Sequence, residues 1–171
     1  MREPVKVVAI LAASPALSSI LAAVLAATPN LRVRVFESPI ALQTYMRLSP
    51  VDLLVSDFDS DPAPADSLAG MLRLDERVMR REFQIIALAG RVTAAVKQAS
   101  IGNGIDEVIV KPMSPKYLLE RVLSRLKQPA PQITAGPYQG PERRGRLAAA
   151  PAGVLAARRL GDNVIPLFRD R

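Results

Sequence analysis

The sequence predicts an α/β fold, a doubly wound parallel sheet with helices on both faces. Three observations carry this. Five short apolar or β-branched runs alternate with five segments of helical periodicity. Ser-Pro and Gly-Asn-Gly signals punctuate the junctions. At 171 residues the chain can bury a core without disulfides, and it has no Cys to make them.

Residues 5–11 form a continuous β-branched run, as expected of a strand buried on both faces. Ser14-Pro15 then reads as a helix start, with Ser as cap and Pro in the first turn. Leu17, Ile20, Leu21, Val24 and Leu25 follow at helical spacing until Pro29-Asn30. Residues 31–36 alternate Leu, Arg, Val, Arg and Val, a strand with one wet face. Ser38-Pro39 opens a second helix to about Leu48, and Ser49-Pro50 ends it. Residues 51–57 read as a buried strand, and 59–65 as a loop. Residues 66–79 read as a helix with Leu68, Met71, Leu72 and Val78 inward. A fourth strand spans 83–89, and a short helix spans 92–101, closed by Gly102-Asn103-Gly104. A fifth strand covers 105–110. A fifth helix runs from the Ser114 cap and Pro115 to residue 127.

The flavodoxin-like strand order 2-1-3-4-5 is a common solution for this alternation. In such folds the site lies beyond the carboxyl ends of the strands, near the topological switch point. That rule singles out Ala12, Ala13, Asp57, Ala89 and Lys111.

Two stretches here carry a resemblance. VDLLVSDF (51–58) ends a strand on Asp57, and GNGIDEVIVKPMSPKYLLERV (102–122) contains Lys111-Pro112. Together they resemble the receiver domain of bacterial response regulators, over about three quarters of the chain. The resemblance implies that Asp57 matches the phospho-accepting aspartate. It implies that Lys111 matches the lysine paired with the acyl phosphate, followed by a cis proline. It also implies partners of a signalling pathway, such as a histidine kinase or another regulator.

The departures from that family matter as much. Its acidic pair after the first strand is replaced by Ala12 and Ala13. Mg²⁺ prefers several oxygen ligands, carboxylates among them, so its binding is expected to be lost or weak. The phosphoryl-contacting Ser or Thr after the fourth strand is Ala89, followed by Gly90. The aromatic residue expected on the fifth strand is Val108. The loop proline falls five residues after Asp57, at Pro62. Asp59 and Asp61 are the remaining carboxylates that could substitute in the pocket. The resulting expectation is a degenerate pseudo-receiver, with Asp57 and Lys111 as a standing ion pair and no cofactor.

The first 127 residues therefore read as one domain, and 128–171 as a largely irregular basic extension. Residues 1–126 hold 15 Lys/Arg against 13 Asp/Glu, while 127–171 hold 8 against 3. Residues 129–140 are rich in Pro and Gly and read as a linker. The segment YQGPERRGR (138–146) is expected to present Arg143 and Arg144 to an acidic partner. A short Ala-rich helix is expected over 146–160, ending on Arg158 and Arg159. Val164, Ile165, Leu167 and Phe168 read as a docking peptide, with folding back onto the domain as the alternative.

Functionally, the sequence points to a protein-binding module of signal transduction. Two alternatives stay open: a conventional phospho-switch at Asp57, and a nucleic-acid-binding adaptor acting through the basic extension. Catalysis is not expected. Without His or Cys no familiar nucleophile–base pair can be assembled, and no Gly-rich phosphate loop is present. No apolar stretch reaches the ~20 residues of a membrane span. The apolar stretch after Met1-Arg2-Glu3 has the outline of a signal peptide, but it divides into strand and helix. A cytoplasmic location is the default expectation.

Overall fold

A computed structural model describes residues 4–61 and 63–143, together with the backbone of residues 164–165. Five parallel strands build the main sheet: β1 (Lys6–Leu11), β2 (Leu31–Val35), β3 (Leu53–Asp57), β4 (Gln84–Ala89) and β5 (Glu107–Val110). Their spatial order is β2-β1-β3-β4-β5, the order the alternation predicts. The connecting helices are α1 (Pro15–Ala26), α2 (Pro39–Leu48), α3 (Ala65–Leu74), α4 (Ala94–Gly102) and α5 (Pro115–Lys127).

The inner strands form because their residues can be buried on both sides, whereas β2 keeps one face wet. Val8, Ile10, Leu53 and Val55 pack on one face with Leu21, Leu25, Leu118 and Val122 of α1 and α5. Ala9, Leu54, Ile85 and Ala87 pack on the other with Leu42, Met46, Leu68 and Leu72 of α2 and α3. Each fully buried aliphatic side chain contributes roughly 1.5–3 kcal/mol relative to exposure. The helix starts follow the capping chemistry. Ser14 Oγ accepts from the Leu17 amide at 3.4 Å, Ser38 Oγ from Ala41 at 3.2 Å and Ser114 Oγ from Tyr117 at 3.1 Å. Thr93 caps α4 in the same way, so that helix begins two residues later than its apolar pattern suggests.

Two boundaries differ from the sequence reading. The helix expected over 66–79 stops at Leu74. Asp75 leaves the helical conformation and collects bonds from Gln43, Arg47 and the Arg77 amide. Val78 is buried as expected, but from an irregular segment.

The larger correction concerns the expected linker. Residues 132–141 form an antiparallel hairpin, β6 (Gln132–Ala135) and β7 (Tyr138–Pro141). Gly136 makes its turn with φ +59°, a conformation a side chain would resist. The hairpin docks against the end of the sheet where β4 and β5 begin. Gly140 and Gly104 meet backbone to backbone, and a Cβ on either would run into the other strand or loop. Gln84 exchanges two hydrogen bonds with the Ala130 backbone, and Arg81 donates to Gln139 at 2.6 Å.

A further strand, β8 (Val164–Ile165), adds antiparallel to the outer edge of β5. For these two residues the chain folds back onto the domain, the alternative weighed against a docking peptide. The expected helix over 146–160 and Arg144, Arg158, Arg159, Leu167 and Phe168 lie outside the described residues, as does Pro62.

Candidate functional site

The sheet brings four strand ends to one rim. Asp57 closes β3 and is 1% exposed. Ala12 follows β1 directly, one step past the Leu11–Ser56 register pair, which sets it level with Asp57. Ala89 ends β4 and is buried. Lys111 follows β5, its amide held by the Ala89 carbonyl at 2.8 Å. The Lys111-Pro112 peptide bond is cis.

Lys111 reaches across this rim to Asp57. Its Nζ donates to both carboxylate oxygens, at 2.9 and 3.0 Å. The same ammonium sits 2.6 Å from Oδ2 of Asp59, a residue that is otherwise 57% exposed. The Asp59 amide donates to Asp57 Oδ1 at 2.9 Å, fixing the turn that brings both acids to one cation. Burial alone would lower the Lys111 pKa. The bonds it donates to Asp59 and Asp57 outweigh this and hold the ammonium above its ordinary value.

Gly90 lies against this turn, where an added Cβ would come within 3.2 Å of Asp59 Oδ2. At the ends of β1 and β4 the side chains are the methyl groups of Ala12, Ala13 and Ala89. Asp61 is exposed and makes none of the described ion pairs. Val108 is buried in the core.

Of the expected partner-binding residues, Arg143 is the one among the described residues. Its guanidinium donates to the Ile105 carbonyl at 2.6 Å, turned toward the body of the domain. The hairpin preceding it fixes this orientation. On the α4–α5 side, Ala95 is exposed, while Val92, Val96 and Tyr117 pack partly against the core.

Sequence reasoning missed a second polar cluster at the opposite end. Arg73 of α3 is buried and donates to the Phe83 carbonyl at 2.7 Å, the Gly104 carbonyl at 3.0 Å and Asp106 at 3.1 Å. It also stacks 4.3 Å over the Phe83 ring. Asp106 accepts from the Ile85 amide at 2.7 Å and from Gln132 of the hairpin at 3.3 Å. Burial pushes the Asp106 carboxyl up, against the pull of Arg73 and the Ile85 amide. Nearby, Asp52 binds Lys6, Arg80 and the Val7 amide. A cleft of about 300 Å³ opens here between Lys6, Asp52, Arg80, Glu82 and the segment around Ala130. The available signal was an acid just ahead of two strands, Asp52 and Asp106, with an Arg-rich stretch after α3.

No family model matches the chain, and no curated protein matches it. Solved structures do match. The fold is that of a receiver domain. A CheY-like response regulator receiver domain from Methanospirillum hungatei superposes with a TM-score of 0.65 at 18% identity, covering 72% of this chain and 95% of that one. A putative response regulator from Chloroflexus aurantiacus gives 0.64 at 20%, covering 74% and 100%. A response regulator from Thermotoga maritima gives 0.62 at 20%, covering 72% and 98%. The receiver fold thus occupies most of the described residues. Among these, no helix is long and apolar enough to cross a membrane.

Proposed function

We propose that this chain is an atypical receiver that acts in signal transduction by binding a protein partner, without Mg²⁺-dependent phosphorylation at Asp57. One observation carries the reading: a single ammonium, Lys111, engages both carboxylates of the pocket at 2.6–3.0 Å. The donor set does not fit Mg²⁺. Ala12 and Ala13 offer no oxygen side chain, and both Asp57 oxygens and Asp59 Oδ2 face Lys111. Phosphoryl transfer depends on positioned charge and metal, so the pocket is better suited to holding one conformation. A locked pocket suits a module whose signal is its surface rather than its chemistry. The partner belongs to a signalling pathway, with a histidine kinase or another regulator as the leading candidates, and the location is cytoplasmic.

Incubation with acetyl phosphate and Mg²⁺, followed by intact-mass analysis, tests this. The expected result is an unmodified protein. A phosphoryl adduct that Asp57→Asn abolishes would overturn the proposal and favour the phospho-switch.

A further inference from the structure

The apolar side chains left in water are not scattered. Among the described residues eight large ones are exposed, and five of them, Ile40, Leu48, Met71, Leu74 and Met79, sit on α2, α3 and the segment after α3. Their exposure runs from 39% for Met71 to 77% for Ile40. The other three lie singly: Val5 before β1, Ile20 on α1 and Val35 on β2. Single apolar residues on a surface are ordinary, whereas a cluster marks an interaction site.

Three hydrogen bonds tie the five into one surface. Ile40 and Leu48 stand on the outer side of α2, and Met71 and Leu74 on the outer side of α3. Asp75 joins the two helices, accepting from Gln43 at 2.8 Å and from Arg47 at 2.7 Å, so Leu48 and Leu74 flank one ion pair. The Met79 amide donates to the Met46 carbonyl at 2.9 Å, which seats Met79 beside the end of α2.

Charge decides what covers this face. Residues 37–48 and 65–82 carry five Lys/Arg and five Asp/Glu, in a chain whose net charge is +7. The positive surplus lies elsewhere, and a strongly acidic partner is drawn there instead. A chain of +7 repels its own copy, but at this face two copies meet without adding like charge. The exposed rim carries both signs, Glu76 and Glu82 with Arg77 and Arg81. A two-fold axis lays a patch against itself, so a rim of both signs complements its own copy.

We propose that the α2–α3 face is a homodimer interface, covered by the same face of a second copy. An apolar centre of Leu, Ile and Met inside a charged rim is the usual anatomy of such a contact. The inference goes beyond the pocket reading above and does not rest on it. Five side chains make a small interface, so a reversible dimer with a Kd of roughly 1–100 μM is expected.

Sedimentation velocity on the full chain tests this. The mass should rise from monomer to dimer across roughly a hundredfold range of concentration around that Kd. Leu48→Lys and Leu74→Lys each put a charge in the apolar centre and should weaken the dimer at least about tenfold. Both positions are exposed and end a helix, where a cation is tolerated, so urea midpoints should not move. Ile20→Lys, on α1 across the sheet, should leave the dimer intact. A photoreactive group at Met71 should give a product of dimer mass that joins α2–α3 peptides. A monomer at every concentration, a dimer that survives both lysine substitutions, or one that weakens equally with Ile20→Lys would each overturn the proposal. So would a Met71 crosslink to another segment of the same chain, which would make that segment the occupant.

Discussion

Replacing Lys111 by Met tests whether the rim pocket is a lock. The substitution keeps most of the aliphatic stem and removes the ammonium. Asp57 then keeps the Asp59 amide at 2.9 Å but loses two charged bonds at 2.9 and 3.0 Å. Because Asp57 is 1% exposed, water cannot readily replace them. Charged hydrogen bonds of this kind are worth roughly 1.5–3 kcal/mol. The Asp59 contact adds less than about 1 kcal/mol, since that carboxylate is largely solvated. A loss of roughly 2–3 kcal/mol is therefore expected. With a urea slope of roughly 2 kcal/mol per M, the unfolding midpoint should fall by about 1 M. Asp57→Asn should also destabilise, by less, because the amide oxygen still accepts from Lys111. The double variant should recover part of the Lys111→Met loss. A stabilised Asp57→Asn protein would refute the reasoning, because it would mark Asp57 as an acid held under strain for chemistry. So would a Lys111→Met midpoint within error of the parent.

The same pair predicts a pH dependence. The folded pKa of Lys111 lies above its ordinary 10.5, so its contribution is full below about that pH and is lost as pH climbs through the raised value. Urea midpoints between pH 9 and 12 should fall more steeply for the parent than for Lys111→Met. Arg73→Ala should cost about 3–5 kcal/mol by leaving Asp106 buried and short of a partner, while Arg73→Met with Asp106→Leu should cost less, again read from urea midpoints. Gly140→Ala should push β7 away from Gly104, at a cost of about 1–3 kcal/mol, with amide exchange rising across residues 132–141 while β1 and β3 stay protected.

The core fold was legible because its signals are local. Ser14, Ser38 and Ser114 each precede a proline and an apolar stripe, and each caps a helix. Strand burial on both faces makes continuous runs such as residues 51–57 stand out. Asp57 and Lys111 could be paired on paper because each ends a strand in a sheet of known order. What could not be read depends on distant partners. The Asp59 side chain reaches Lys111 because of a turn whose geometry no short pattern announces. The hairpin at 132–141 was hidden by its own Pro and Gly content, which resembles a linker until Gly140 finds Gly104. Arg73 reads as one more helix cation until the fold surrounds it with carbonyls. The end of α3 was misplaced because Asp75 is drawn off the helix by Gln43 and Arg47, residues some thirty positions away.

The hairpin also changes where the chain can be divided. A protein ending at Lys127 would keep every described helix and every described parallel strand. It would also strip Gln132 from Asp106, Ala130 from Gln84 and Arg143 from the Ile105 carbonyl. Such a truncation would compare an intact base with an opened one, and lost binding could reflect either a missing contact or a loosened foundation. A protein ending after Arg143 keeps all of these bonds and gives up only the β8 pairing on β5 among the described contacts.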